Sequence, residues 1–121
     1  MARLLFLDDD ILTLHLMKKM ASRIGHDAIA TDTPEQAMTA ILEMRPDLVL
    51  VDMSLKETSG LDFIQSIRQR EEYKSLPMVI VSAGTSLEDE SQALQAGASG
   101  FILKPLSLDI LTKTVERFCS S

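Results

Sequence analysis

Four stretches of the chain end in side chains able to do ionic chemistry. Asp8, Asp9 and Asp10 stand in a row after LLFL, and Asp52 follows LVLV. Ser82 follows MVIV, ahead of Ala83 and Gly84, and Lys104 follows GFIL, with Pro105 next to it. Carboxylates gathered within a few ångströms repel one another unless a cation or raised pKa values relieve the charge. Their hard oxygen atoms suit Mg2+, which keeps several waters and takes one or two carboxylates together with phosphate oxygens. A lysine and a serine beside such an ion are groups that hold a phosphoryl group. The chemistry requires that the four stretches end in one place.

The surrounding elements provide for that. Short apolar runs of strand length lie at Leu4–Leu7, Ala28–Ala30, Leu48–Val51, Met78–Val81 and Gly100–Leu103. Between them come stretches of helical length, at about Ile11–Ile24, Pro34–Met44, Leu61–Glu72, Leu87–Ala96 and Leu108–Phe118. This alternation predicts an α/β domain with a parallel sheet. LLFL, LVLV and MVIV are apolar throughout, as befits central strands covered by helices on both faces. In such a sheet ligands gather beyond the carboxyl ends of the strands, near the switch in strand order. Acid from two strands, a hydroxyl from a third and an ammonium from a fourth then converge on one rim. Thr31 and Asp32, ending the second run, offer nothing as distinctive.

Helix boundaries carry local signals. Thr33 reads as an N-cap, with Pro34 at the first helical position and Gln36 available for a capping box. Gly25 and Gly97 stand where left-handed C-caps are wanted. Leu108, Leu111, Val115 and Phe118 define one apolar face of the last helix. Ile110 and Thr114 on that helix are expected to be exposed and to serve a dimer or partner interface.

Composition narrows the function classes. At 121 residues the chain is one domain, 1–121, either free-standing or cut from a longer protein. With no Trp, one Tyr and four Phe, its core must be aliphatic. The single cysteine, Cys119, excludes an internal disulfide framework and a Cys-based zinc site, and fits a reducing compartment. No apolar run approaches the roughly 20 residues that span a bilayer, and Asp8 to Asp10 interrupt the first one too early for a signal peptide. A cytoplasmic location and no membrane partner follow as expectations. Twelve basic residues against eighteen acidic ones, net −6, with no basic run, argue against direct nucleic-acid binding.

Several of these residues have ordinary readings. Asp10 is best read as an N-cap, and Glu88, Asp89 and Glu90 as the solvated start of a helix. Taken singly, Asp8 and Asp9 read as caps or solvated turn residues as readily as functional acids, Ser82 as a turn hydroxyl, Lys104 as a solvated lysine and Phe101 as a core aromatic. His15 and His26 read as surface residues. Cys119, close to the terminus, shows no sign of an activated thiolate.

Together, LLFLDDD, DLVLVDMSLKETSGLDF, PMVIVSAG and GASGFILKP resemble the receiver domain of two-component response regulators, in that family's order and approximate spacing over essentially the whole chain. The resemblance implies a flavodoxin-like, doubly wound sheet of order 2-1-3-4-5 with five helices. It implies Asp52 as the phosphoryl acceptor. Asp9 would bind Mg2+ directly and Asp8 mainly through water, with the Ser54 carbonyl as a further ligand and Mn2+ as a substitute ion. Ser82 would bond a phosphoryl oxygen, Lys104 would pair with its charge, and Lys104–Pro105 would be a cis peptide. Small Ala83 leaves room for the group to enter, and Phe101 holds the aromatic switch position.

The implied partners are a histidine kinase or histidine phosphotransfer protein and a downstream protein or effector domain, with homodimer formation on phosphorylation. The implied role is a signalling switch that assists its own aspartyl phosphorylation and dephosphorylation, with its output on the surface of the fourth helix, fifth strand and fifth helix. Lys56 departs from the family's common Pro, and Thr58 and Ser59 replace the acidic or amide residues frequent before its Gly, here Gly60. Ser54 and Gly84 occupy positions that influence dephosphorylation.

Other classes make different demands. A phosphohydrolase of the haloacid-dehalogenase type would use Asp8 and Asp10, but needs an acidic pair beyond the lysine, where only Asp109 and Glu116 stand, and a larger chain. A receiver-like module that never takes phosphate usually lacks the acceptor, an acid or the lysine. A flavodoxin-like cofactor binder needs a phosphate-cradling loop after the first strand.

Overall fold

The structure is a computed structural model and describes residues 1–83 and 87–119. Its strands are β1 (Arg3–Leu7), β2 (Asp27–Thr31), β3 (Leu48–Asp52), β4 (Met78–Ser82) and β5 (Gly100–Leu103). The helices are α1 (Ile11–Arg23), α2 (Pro34–Met44), α3 (Gly60–Arg68), α4 (Leu87–Gln95) and α5 (Leu108–Cys119), with a short 3-10 turn at Glu71–Tyr73. All pairings are parallel, in the order β2-β1-β3-β4-β5.

Alternation along each strand divides the core in two. Leu4, Phe6, Leu48, Leu50, Val79 and Val81 pack with Leu14 and Met17 of α1 and Leu111 and Val115 of α5. Leu5, Leu7, Val49, Val51, Met78 and Ile80 pack on the other face with Ile41 of α2, Phe63, Ile64 and Ile67 of α3, and Ala93 of α4. Covering on both faces explains why these strands are apolar throughout.

The helix ends follow local chemistry, with some departures from expectation. Asp10 caps α1, accepting from the Leu12 N–H at 3.2 Å and the Thr13 hydroxyl at 2.7 Å. Gly25 and Gly97 have positive φ, as their positions require. Thr33 caps α2 through the Gln36 N–H, but the Gln36 carboxamide accepts from Asp32 rather than from Thr33, so the reciprocal bond lands one residue early. α2 ends on Arg45 at φ 49°, a left-handed stop without the usual glycine signal. The third helix is shorter than expected. Residues 69–72 supply only polar side chains, and the chain turns so that Tyr73 and Leu76 pack back on the core.

Two surface expectations need correction. His26 is half-buried, and its Nδ1 accepts the Ala2 N–H at 2.8 Å, holding the start of β1. Ile110 is 37% exposed, but Thr114 is 8% exposed, and its hydroxyl is satisfied within the helix by donating to the Ile110 carbonyl at 2.7 Å. No helix among the described residues is long and apolar enough to cross a membrane.

Candidate functional site

The carboxyl ends of β1, β3, β4 and β5 form one rim. β1 ends just before Asp8, whose N–H donates to the Thr31 carbonyl at 3.1 Å. The Thr31 hydroxyl donates in turn to the Phe6 carbonyl at 2.8 Å, and Thr31 is buried. Thr31, which looked undistinguished in sequence, therefore fixes the strand end that presents Asp8. Its partner carbonyl lies 25 residues away, so no local pattern could have found it. Asp52 and Ser82 are the last residues of β3 and β4 rather than the first residues of loops, and both are buried. The Lys104 N–H donates to the Ser82 carbonyl at 2.7 Å, so the β4–β5 ladder extends to the lysine. The Lys104–Pro105 peptide is cis.

After Asp52 the chain forms a closed loop. Ser54 and Ser59 make an isolated antiparallel bridge, the Leu55 N–H donates to Thr58, and the Gly60 N–H donates to the Met53 carbonyl at 2.8 Å. Gly60 is required by close approach, since a Cβ there would overlap the Asp52 carbonyl oxygen and touch Val51. Ser59 then caps α3 through the Asp62 N–H.

On this rim Asp8, Asp9 and Asp52 each offer a carboxylate oxygen, all within 4.8 Å of one another. Lys104 Nζ lies 3.3 Å from Asp8 Oδ2 and 3.4 Å from Asp52 Oδ1. Asp8 is fully buried, and its other oxygen accepts the Asp10 N–H at 2.9 Å. Burial and the neighbouring Asp8 charge push the Asp52 carboxyl above the usual carboxylate range, against the pull of Lys104 and the Ser54 backbone N–H. Burial disfavours the charged Lys104, but Asp52 and Asp8 outweigh it and hold the ammonium above the ordinary lysine value. A divalent cation bound by hard oxygens would relieve the excess of negative charge, and this donor set fits one. Asp10 points away as a cap, and its carboxyl is held below the usual value chiefly by the Thr13 hydroxyl.

Among the other singled-out residues, Ser54 is exposed beside the acids and Ala83 is exposed at the rim. Phe101 is half-buried against the α2–α3–α4 face of the core, opposite Ile80 in the ladder. Gly84 lies outside the described residues. Arg68 escaped the sequence reading altogether. Its guanidinium reaches the Tyr73 and Gly97 carbonyls and Ser99 Oγ, partners 5, 29 and 31 positions away that no local spacing reveals.

A doubly wound sheet of this order, with acids and a lysine at its carboxyl rim, defines an α/β protein with a candidate metal and phosphoryl site. The chain belongs to the response regulator receiver domain family of two-component systems, whose model matches residues 4–116. It is similar to the polar-differentiation response regulator DivK of Brucella anthropi, 28% identical over 114 residues that span 94% of this chain and 93% of that one. In fold it is similar to the Vibrio cholerae chemotaxis protein CheY4, with TM-score 0.91, 24% identity and 98% of each chain covered. The BeF3-activated N-terminal receiver domain of Klebsiella pneumoniae RstA superposes with TM-score 0.87 at 23% identity, covering 98% of this chain and 99% of that one.

Proposed function

We propose that this receiver domain accepts a phosphoryl group on Asp52 from the phosphohistidine of a histidine kinase or phosphotransfer protein. A carboxylate oxygen of Asp52 forms the new P–O bond as the donor's P–N bond breaks, its electron pair staying with the imidazole nitrogen. Asp9, Asp52 and the Ser54 carbonyl would hold Mg2+ directly and Asp8 mainly through water, with Mn2+ able to take its place. When bound, the ion neutralises charge on the phosphoryl oxygens. Lys104 pairs with the same oxygens and Ser82 donates its hydroxyl to one of them. The observation that carries this reading is the convergence of three carboxylates within 4.8 Å, with Lys104 Nζ bridging two of them.

The response passes to the surface of α4, β5 and α5. By strand alternation Ser82 falls on the same sheet face as Ile80, the ladder partner of Phe101. A hydroxyl drawn toward the phosphoryl group leaves space on that face for Phe101 to fill, and the repacked surface selects a downstream protein, an effector domain or a second copy. The domain works as a cytoplasmic switch that assists its own phosphorylation and dephosphorylation.

Intact mass after incubation with acetyl phosphate tests the proposal. The expected result is a gain of one phosphoryl group that requires Mg2+ and is absent in Asp52→Asn. No gain in the folded wild type, beside a competent control receiver and with no beryllofluoride adduct, would overturn it.

A further inference from the structure

Of the five helices, α4 is the least embedded. Ala93 is its one buried residue, while Leu87 and Leu94 are 85% and 52% exposed. Its first turn carries Glu88, Asp89 and Glu90, which suit the positive end of the helix dipole, but its last turn has no basic residue for the negative end. Arg68, the last residue of α3, supplies that cation from outside the helix. Its Nε–H donates to the Gly97 carbonyl at 2.9 Å, its Nη1–H to the Tyr73 carbonyl at 2.6 Å and its Nη2–H to Ser99 Oγ at 3.2 Å. Ser99 is tied to the first residue of β4, accepting the Met78 N–H on its hydroxyl at 3.1 Å and donating its own N–H to the Met78 carbonyl at 2.6 Å. Gly97, at φ +106°, also lets the Arg68 stem pass, since a Cβ there would press on Arg68 Cγ. These ties all lie at the C-terminal end of α4. The helix begins at the opposite pole, shortly after Ser82 and the acidic rim.

We propose that Arg68 is a positioning residue that fixes the C-terminal end of α4 as a pivot, so that a change at Ser82 turns the helix from its other end. This rests on the function proposed above. A helix held by one small buried residue and a clamp at one end responds by rotation about the clamp; without the clamp it loosens as a whole, and the signal at Ser82 no longer selects an orientation.

The test uses hydrogen exchange of the full chain with and without beryllofluoride and Mg2+, in wild type, Arg68→Gln and Ser99→Ala, alongside the intact-mass assay. Arg68→Gln is expected to speed exchange in α4 by about tenfold, the scale of losing one charged hydrogen bond. It should also shrink the beryllofluoride-dependent change in α4, while β1 and β3 keep their protection and Asp52 keeps its phosphoryl uptake. Ser99→Ala, which removes one of the three partners, should act in the same direction and less. The pivot is overturned if Arg68→Gln leaves the beryllofluoride response of α4 intact. It is equally overturned if exchange rises alike in β1, β3 and α4, the mark of a merely structural role. A wild type that gains no phosphoryl mass overturns the functional reading instead, and the missing mass increment tells the two failures apart.

Discussion

Replacing Lys104 by methionine removes the cation from between two carboxylates while keeping an unbranched stem of similar length. The geometry sets the scale of the effect. At an effective dielectric of about 20, a unit charge pair at 3.4 Å attracts by about 5 kcal/mol, and two like charges within 4.8 Å repel by at least about 3.5 kcal/mol. The gross loss is not the net one, because Lys104 is 28% exposed and regains hydration in the unfolded chain. Breaking a buried pair by removing one partner generally costs about 3–5 kcal/mol, and partial exposure brings the expectation here to about 2–3 kcal/mol in the presence of EDTA.

Mg2+ makes the test specific. Under the proposed function, ammonium and divalent cation would neutralise the same carboxylates, so deleting one would increase the pull on the other. Lys104→Met is therefore expected to bind Mg2+ more tightly than the wild type and to gain more stability from it, since ligand stabilisation grows with [L]/Kd. Adding Asp52→Asn to Lys104→Met removes the like-charge contact and should restore a substantial part of the EDTA deficit, because the relieved repulsion is of the same order as that deficit. Urea unfolding of the variants in EDTA and in saturating Mg2+ measures these quantities. A Lys104→Met protein as stable as wild type in EDTA, or one that gains less from Mg2+, refutes the electrostatic account of this rim.

Gly60→Ala forces a Cβ onto the Asp52 carbonyl and is expected to destabilise by about 1–3 kcal/mol; acetyl phosphate labelling of Asp52 should slow as well, and full stability with normal labelling would contradict the close approach. Asp10→Ala should lose about 1 kcal/mol as a cap deletion yet keep wild-type Mg2+ affinity by titration calorimetry, because Asp10 serves α1 and not the acid cluster. The Cys119 thiol is raised above 9.0 by burial first and by the Asp47 charge second, so the folded protein holds its proton more tightly than the unfolded chain. The associated stability is present below the unfolded pKa and is lost as pH rises through the folded one. The ratio of folded to urea-unfolded alkylation rates by iodoacetamide should accordingly rise above pH 9.0, whereas a flat ratio would assign the protection to access alone.

The strands, helices and parallel sheet were legible because their signals are local, whereas the strand order came only with the family resemblance. LLFL, LVLV and MVIV announce doubly covered strands, and Asp8, Asp52, Ser82 and Lys104 follow those runs directly. What escaped depends on partners far apart in the chain. Thr31 matters because its hydroxyl meets Phe6 across the β1–β2 ladder, and Arg68 because the α4–β5 loop folds beside the end of α3. Thr114 was misplaced because helical phase says which way a residue points and nothing about a hydroxyl bonding back to its own helix. The third helix was overextended because polar residues 69–72 do not oppose helix formation; what ends it is the return of Tyr73 and Leu76 to the core.

Strand parity gives the proposed switch its direction. Asp52 shares its alternation with Leu48 and Leu50, which face α1 and α5, whereas Ser82 shares its own with Met78 and Ile80, which face α2, α3 and α4. In the proposed switch the acceptor and the answering hydroxyl meet at the common carboxyl rim, and the strand behind Ser82 carries its same-parity neighbours on the face of α2, α3 and α4. β4 is paired to β3 on one side and to β5, with Phe101, on the other. Phe101 and Ala93 pack into the same half of the core as Ile80. A displacement of Ser82 therefore reaches Phe101 and α4 without passing through the α1–α5 layer. On that reasoning, a substitution confined to the α1–α5 layer, such as Met17→Leu, should alter stability by less than about 1.5 kcal/mol and leave the beryllofluoride response of α4 unchanged. Ile80→Val, on the switching face, should weaken that response.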